Sequence, residues 1–449
     1  MSANPENEYF ADGMTEEMIS KLSRVPGLEV IARTSVIVYK GSNKKIAEIA
    51  KELNVSSVLE GSVRRNGDKL RITAQLINAT NEAHLWSNDY DRDLRDVFAI
   101  QGDVARSVAE ALRVTLSPTQ AQQIEKKGTE NLEAYDLYLQ GLYHQNKVSQ
   151  EGLEKGLGYF NRAIEIDPSF ARAHAAVGFT YDLLGGWGMQ IPRESVPKAK
   201  AAARRALELD GSLVEAHVVL GDMAVSDIDW PLAEASYKHA LTLNPNSAFA
   251  LDNYAVLYLT PWGRHEEAIA TIRRAIALDP NSLLYRSDLS VTLMLAQRND
   301  EAIAEAKGLL AREPTSAQAW WILGWASWRK GAHDAAIEAF KKRVELTGQS
   351  FPSLGGLGFA YAQAGKRDEA LKVLATMKER AKKETFDPMG FAWIYLGLGE
   401  HDAALEWLQK TYDERPNMEL AFINTGTIWD PVRADPRFIS LVKKIGLKK

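Results

Sequence analysis

The feature that most restricts the fold of this chain is a self-similarity with a period of 34 residues that sets in near residue 134. Small residues Gly221, Ala255, Ser290, Gly324, Gly358 and Ala392 recur at spacings of 34, 35, 34, 34 and 34. Pro or Gly follows most of them 24 or 25 residues later: Gly221 leads to Pro245, Ala255 to Pro280, Ser290 to Pro314, Gly324 to Gly348 and Ala392 to Pro416. A second series, Ala233, Ala268, Ala302, Ala336, Ala370 and Ala404, lies twelve or thirteen residues after the first, and Leu220, Leu289, Leu323 and Leu357 directly precede it. Two earlier units, marked by Gly141 and Gly178, carry insertions.

Each period reads as two helices. The stretch 233–245 is amphipathic and ends in Asn-Pro, where a helix cannot continue because proline lacks the N–H and clashes with the preceding turn. Small residues let the two helices approach closely, while Leu, Tyr and Phe fill the space between hairpins. One such hairpin cannot bury its apolar face alone, so the units must stack. Stacking also resolves the length, since 449 residues exceed what a single core supports.

The unit resembles the tetratricopeptide repeat, whose pattern is matched here by Trp320, Leu323-Gly324, Ala336 and Phe340. About eight units fit between residues 134 and 417. Departures are an insertion at 185–192 and a seventh unit without its closing Pro. The fold expected is an α+β N-terminal domain followed by an all-α tetratricopeptide repeat superhelix, an α-solenoid.

The first 118 residues mix α and β. Met14, Met18 and Leu22 share a helical face that Pro26-Gly27 terminates, and Ile46, Ile49, Ala50 and Leu53 mark a second short helix. Leu28 to Ala32 reads as a buried strand. Val58–Arg65 and Lys69–Asn78 flank Asn66-Gly67, a strong hairpin signal. A strand from Ala83 to Tyr90 precedes a helix from about Leu94 to Leu116. This segment resembles the TolB-like domain in Glu8-Tyr9-Phe10-Ala11-Asp12-Gly13, in Leu59-Glu60-Gly61-Ser62-Val63-Arg64-Arg65 and in His84-Leu85-Trp86. The closing Trp429-Asp430-Pro431-Val432-Arg433 with Asp435-Pro436-Arg437-Phe438 resembles the end of proteins that pair that domain with tetratricopeptide repeats. The expected division is 1–118 TolB-like, 119–133 linker, 134–417 repeats and 418–449 a capping segment. That family normally has an apolar first strand before this point, so either translation starts inside a longer product or the sheet exposes an edge. Its members often carry this half behind a class III nucleotide cyclase or a winged-helix domain, which are not in the sequence.

Composition removes several kinds of chemistry. There is no cysteine, which excludes disulfides, Cys-based zinc sites and thiol catalysis. Net charge is −5 with Lys and Arg interleaved with acids, so a nucleic-acid partner is not expected. No run of about 18 apolar residues exists and the opening residues lack a signal sequence, which predicts a cytoplasmic chain without a membrane span. No phosphate loop, His-Glu-x-x-His, dinucleotide fingerprint, Gly-x-Ser-x-Gly or kinase loop occurs, so no enzyme activity, cofactor or metal is expected. His265, His333 and His401 share one repeat position, as do His174 and His217, which predicts packing in successive hairpins. His84 beside Glu82 and Asp89, and Arg64-Arg65 beside Lys69 and Arg71, read as solvated surface.

The candidate site is therefore a groove. Outward-facing places on the first helix lie one, four and five residues after the small residue and three before it. In the sixth unit these carry Trp321, Trp325, Trp328 and Arg329, with all three indoles on one face. Neighbouring units add Met294 and Leu295, Phe359 and Gln363, and Trp393 with Leu396. Trp and Arg are enriched at binding hot spots, so the strip is read as a groove for a protein or peptide, with Arg329 and Gln363 orienting it. The alternative is that these rings pack against adjacent hairpins, or that the tail with Phe422, Ile423, Trp429 and Phe438 fills the groove. The expected function is a non-enzymatic adaptor; the alternative is the regulatory portion of a cyclase or winged-helix regulator.

Overall fold

A computed structural model describes residues 8–25, 27–147, 149–186, 189–190, 192–384, 386–414 and 418–447. The helix breaker expected at Pro26, the centre of the insertion at Trp187, Gly188 and Ile191, and the closing Pro416 lie outside them. The chain packs as two compact units, residues 1–223 with 235–251 and 275–282, and residues 224–234 with 252–274 and 283–449.

The first unit contains an antiparallel sheet of β1 (Ser57–Asn66), β2 (Lys69–Asn78) and β3 (His84–Asp93) in the order β1-β2-β3. Asn66 pairs with Lys69, and Gly67 opens the two-residue turn at φ +59°, a left-handed conformation that costs glycine little. Alternation along β2 sends Leu70, Ile72, Ala74 and Leu76 into the core and leaves Arg71 and Lys69 exposed. Helices Glu8–Leu22 and Val97–Ala111 supply Phe10, Met14, Val97, Val104 and Val108 to the same core. That core does not stop at residue 118. It runs on through Tyr138, Phe160, Phe170 and Leu184, and the stretch expected as a linker begins beside a helix, Pro118–Glu125, whose Ile124 is buried in it.

The expected strand at 28–32 is not formed. A short apolar run does not specify its partner, and here the partners are turns between helices. The Ala32 N–H donates to the Leu278 carbonyl at 2.8 Å, the Leu28 carbonyl accepts from Asn246 Nδ2 at 3.2 Å, and Ser35 and Thr34 donate to the Asp279 carboxylate. Asn244 reaches Ser23, Asp210 pairs with Lys126, and Asp167 accepts from Thr129. Four successive inter-hairpin turns are thus held by groups that precede the first hairpin.

From Leu132 onward the described residues form eight successive helix pairs: 132–145 with 150–166, 171–186 with 192–209, 214–226 with 230–243, 248–259 with 265–278, 283–295 with 299–312, 317–329 with 333–346, 351–363 with 367–381, and 389–397 with 401–414. The small residues do what close approach requires. A Cβ on Gly141 would lie 2.3 Å from the Phe160 ring, on Gly221 2.6 Å from Tyr237, and on Gly324 2.7 Å from Phe340. Ala233, Ala268, Ala302, Ala336, Ala370 and Ala404 have no exposed surface. In three of the pairs a ring nitrogen four residues before the small one ties the first helix to the turn before it. His174 meets the Pro168 carbonyl, His217 meets that of Gly211, and Trp320 donates to that of Pro314, at 3.1, 3.0 and 3.2 Å.

In the second unit the one spacing of 35 has a structural cause. The first helix of the fourth pair turns into a π-helix over Tyr254–Leu259, which takes up one extra residue. The same residue makes the distance from Ala255 to Ala268 thirteen where the other pairs have twelve.

Candidate protein-binding wall

The ten residues singled out in the sequence all lie in the second unit, on first helices of the last four pairs. Helical spacing brings the indoles into a chain: Trp321 and Trp325 have ring centroids 5.3 Å apart, and Trp325 and Trp328 5.8 Å, both edge to face. Neighbouring first helices extend it. Trp393 stands 5.3 Å from Trp321 and 5.6 Å from Trp325, and Phe359 stands 5.1 Å from Trp325 and 4.8 Å from Trp328. Behind them, Phe340 meets Trp321 and Trp325 edge to face.

The expectation that these side chains face outward needs correction. Trp325, Trp393, Phe359, Leu396, Met294 and Leu295 are each between 2% and 7% exposed. The rings satisfy one another. Trp321 and Trp328 are half-buried, and Gln363 is exposed. Trp328 Nε1 donates to Gln363 Oε1 at 3.3 Å, while Gln363 Nε2 donates to the Gly397 carbonyl at 3.1 Å.

Arg329 is committed as well. Its Nε donates to Thr427 Oγ1 and its Nη1 to the Met294 carbonyl, both at 2.8 Å. Burial lowers its pKa to about 10, with the Asp430 charge opposing that shift. The sequence reading missed Arg343, whose guanidinium stacks 4.0 Å from the Trp321 ring while Nε donates to Ser353 Oγ at 2.9 Å. It also missed Glu419, whose carboxyl is pushed up to about 8 by burial and then by the charge of Asp387, with Arg343 acting in the opposite sense. Both sit on elements that the spacing rule for first helices does not cover.

Residues 250–282 and 287–350 match the tetratricopeptide repeat family.

The chain carries tetratricopeptide repeats.

A stretch of 197 residues is 43% identical to the "Putative adenylate cyclase 3" of Rhizobium meliloti, covering 43% of this chain and 33% of that protein. A shorter stretch of 79 residues is 34% identical to the "Small glutamine-rich tetratricopeptide repeat-containing protein 2" of Mycosarcoma maydis, covering 18% of this chain and 22% of that one. The chain thus spans a third or less of the length of these relatives. Among solved structures it is similar to the type IV pilus biogenesis factor PilW, with TM-score 0.41, 19% identity and coverage of 48% of this chain and 94% of that one. It is also similar to the MamA protein, with TM-score 0.32, 26% identity and coverage of 39% and 97%.

His265 opens a second helix with its ring partly buried, and burial lowers its pKa. Among the described residues no three His, Asp or Glu side chains gather in a way that could hold a metal ion, and no helix is long and apolar enough to cross a membrane.

Proposed function

We propose that the chain is a non-enzymatic interaction scaffold that holds a protein or peptide partner against the first helices of its last four repeats. The observation that carries the reading is the contiguous ring-to-ring wall of Trp321, Trp325, Trp328, Phe359 and Trp393. Small residues with Leu, Tyr and Phe already fill the contacts within stacked hairpins, and four adjoining indoles exceed what that packing requires. Such rings give large contact area at low entropic cost when a partner replaces their cover. In this reading Trp328 and Gln363 form the accessible rim, Arg329 orients the partner, and Met294, Leu295 and Leu396 extend the apolar floor. The chain acts in the cytoplasm, without nucleic acid.

The test is capture of interacting proteins by the full chain and by a Trp328→Ala/Gln363→Ala variant. Both positions retain exposure, so the variant keeps its helical circular dichroism. Loss of specific captured proteins supports the wall; an unchanged set from a folded variant removes it.

The cyclase similarity favours a second reading, in which this chain is the regulatory portion of a nucleotide cyclase. The N-terminal sheet domain is then TolB-like, as Glu8 to Gly13 and Leu59 to Arg65 suggest. Fusing the chain to the catalytic domain of that relative and measuring cyclase output with and without the fusion tests it; identical output rejects it.

A further inference from the structure

Arg329 cannot serve a partner while it serves the chain's own tail. Its Nε and Nη1 are both engaged, one of them by Thr427 of the C-terminal segment. The same segment reaches across several repeats of the second unit. Arg437 pairs with Asp402 at 2.6 Å, the Ile445 carbonyl accepts from Trp230 Nε1 at 2.5 Å, and the Thr425 methyl lies 3.9 Å from where a Cβ on Gly263 would stand.

We propose that residues 418–447 form an autoinhibitory latch that holds Arg329 beside the aromatic wall and must be displaced before a partner docks there. The proposal rests on the wall being a binding surface, and it adds how access to that surface is controlled.

Two features set this segment apart from an ordinary terminal cap. First, it is cross-linked to itself. Arg433 donates to the carbonyls of Asn424 and Gly426 at 2.7 and 2.9 Å and to Asp430 at 2.9 Å, and Trp429 packs 6.1 Å from Phe438. Helix Pro436–Lys444 is capped by Asp435 and presents Phe438, Leu441 and Val442 on one side. The segment therefore keeps its own organisation when it leaves, which lowers the conformational cost of detachment. Second, its contact with the repeats is incompletely satisfied. Among the described residues Glu419 Oε2 and Arg343 Nη1 are buried without hydrogen-bond partners, and Glu419 is placed beside Asp387. A buried polar group without a partner weakens the state that contains it. A ligand that pairs Arg343 and frees Glu419 gains what the latch forgoes.

The population arithmetic is direct: a latch closed ten times as often as open reduces the apparent affinity of any wall ligand about tenfold. The probe is a fluorescent synthetic peptide of residues 418–447, added to the full chain. A Gly263→Cys/Thr425→Cys variant is built to lock the latch on oxidation; Gly263 stands at φ +72°, so a cysteine there strains the turn, and because the natural chain has no cysteine any new bond is unambiguous. The expected result is that the oxidised variant binds the peptide at least tenfold more weakly than the same protein after reduction. In the natural protein, amides of residues 418–447 should exchange with deuterium at least tenfold faster than those of Ala317–Arg329. Equal peptide binding in both redox states, or equal protection of the two segments, overturns the latch. If the cysteine variant does not fold, exchange in the natural protein decides alone. Since the probe is the chain's own segment, failure here leaves the partner-binding wall to its separate test.

Discussion

Replacing Gly324 by alanine and replacing Gly308 by alanine are the same chemical change on neighbouring helices, yet they should move stability in opposite directions. Both glycines are helical, so each alanine gains about 1 kcal/mol of helix propensity. At Gly308 nothing lies within 4 Å of the new Cβ, and the gain stands. At Gly324 the new Cβ would lie 2.7 to 2.8 Å from three carbons of the Phe340 ring. That ring has no exposed surface, and Trp321 and Trp325 meet it at 5.6 and 5.3 Å, so it cannot swing away. Overpacking of this kind costs about 1–3 kcal/mol. Because propensity cancels between the two variants, they should differ by about 1–3 kcal/mol. With a urea slope of about 1–3 kcal/mol per molar, that is a midpoint separation of roughly 1 M. Tryptophan fluorescence is a suitable signal, since Trp320, Trp321, Trp325 and Trp328 all sit on the affected hairpin. Equal stabilisation by both alanines would refute the claim that the small residue is there for close helix approach.

Other outcomes follow from the buried carboxyls and from the turn contacts. Asp182 is pushed up to about 6 by burial, and Asp222 is pushed well above the usual carboxylate range by burial and then by the charge of Asp182, while Tyr237 donates to it at 2.6 Å. The folded chain keeps a proton that the unfolded chain releases near pH 4, so stability from this pair falls as pH rises through about 4 to 6 and beyond. Thermal melts between pH 4.5 and 7.5 should show that decline, and Asp222→Asn should flatten it; an unchanged slope contradicts the pairing. Glu419 acts in the same sense over a higher window, so the protection of residues 418–447 against exchange, relative to the intrinsic rate at each pH, should fall from pH 5 to pH 8 in the natural chain and much less in Glu419→Gln. Asp279→Ala removes the acceptor of Thr34 and Ser35 and should cost about 1–3 kcal/mol, read as faster proteolysis within residues 28–45; an unaltered digestion rate argues that the turn contact is incidental.

Much of the repeat architecture was legible because close approach of two helices tolerates only small side chains, and that requirement writes itself into sequence at a fixed period. The spacing even contained the π-helix at Tyr254–Leu259, as the step of thirteen from Ala255 to Ala268, although the cause was visible only in the backbone. The positions of Trp321, Trp325 and Trp328 on one face were also legible, since steps of four and three are local. Their burial was not. It depends on Trp393 and Phe359 from later repeats, partners that local periodicity does not name. Leu28 to Ala32 failed for a related reason: an apolar run shows that a segment is covered, and Asn246 and the Leu278 carbonyl, more than 200 residues away, decided by what.

The most direct test of the central claim is to map where a captured partner touches this chain, by placing a photoreactive phenylalanine at Gln363 and, separately, at the exposed Leu85 of the sheet domain. Partner crosslinks are expected from position 363, with few from position 85, and those from 363 should disappear when Trp328 is replaced by alanine. Crosslinks confined to position 85, untouched by the loss of Trp328, would contradict it.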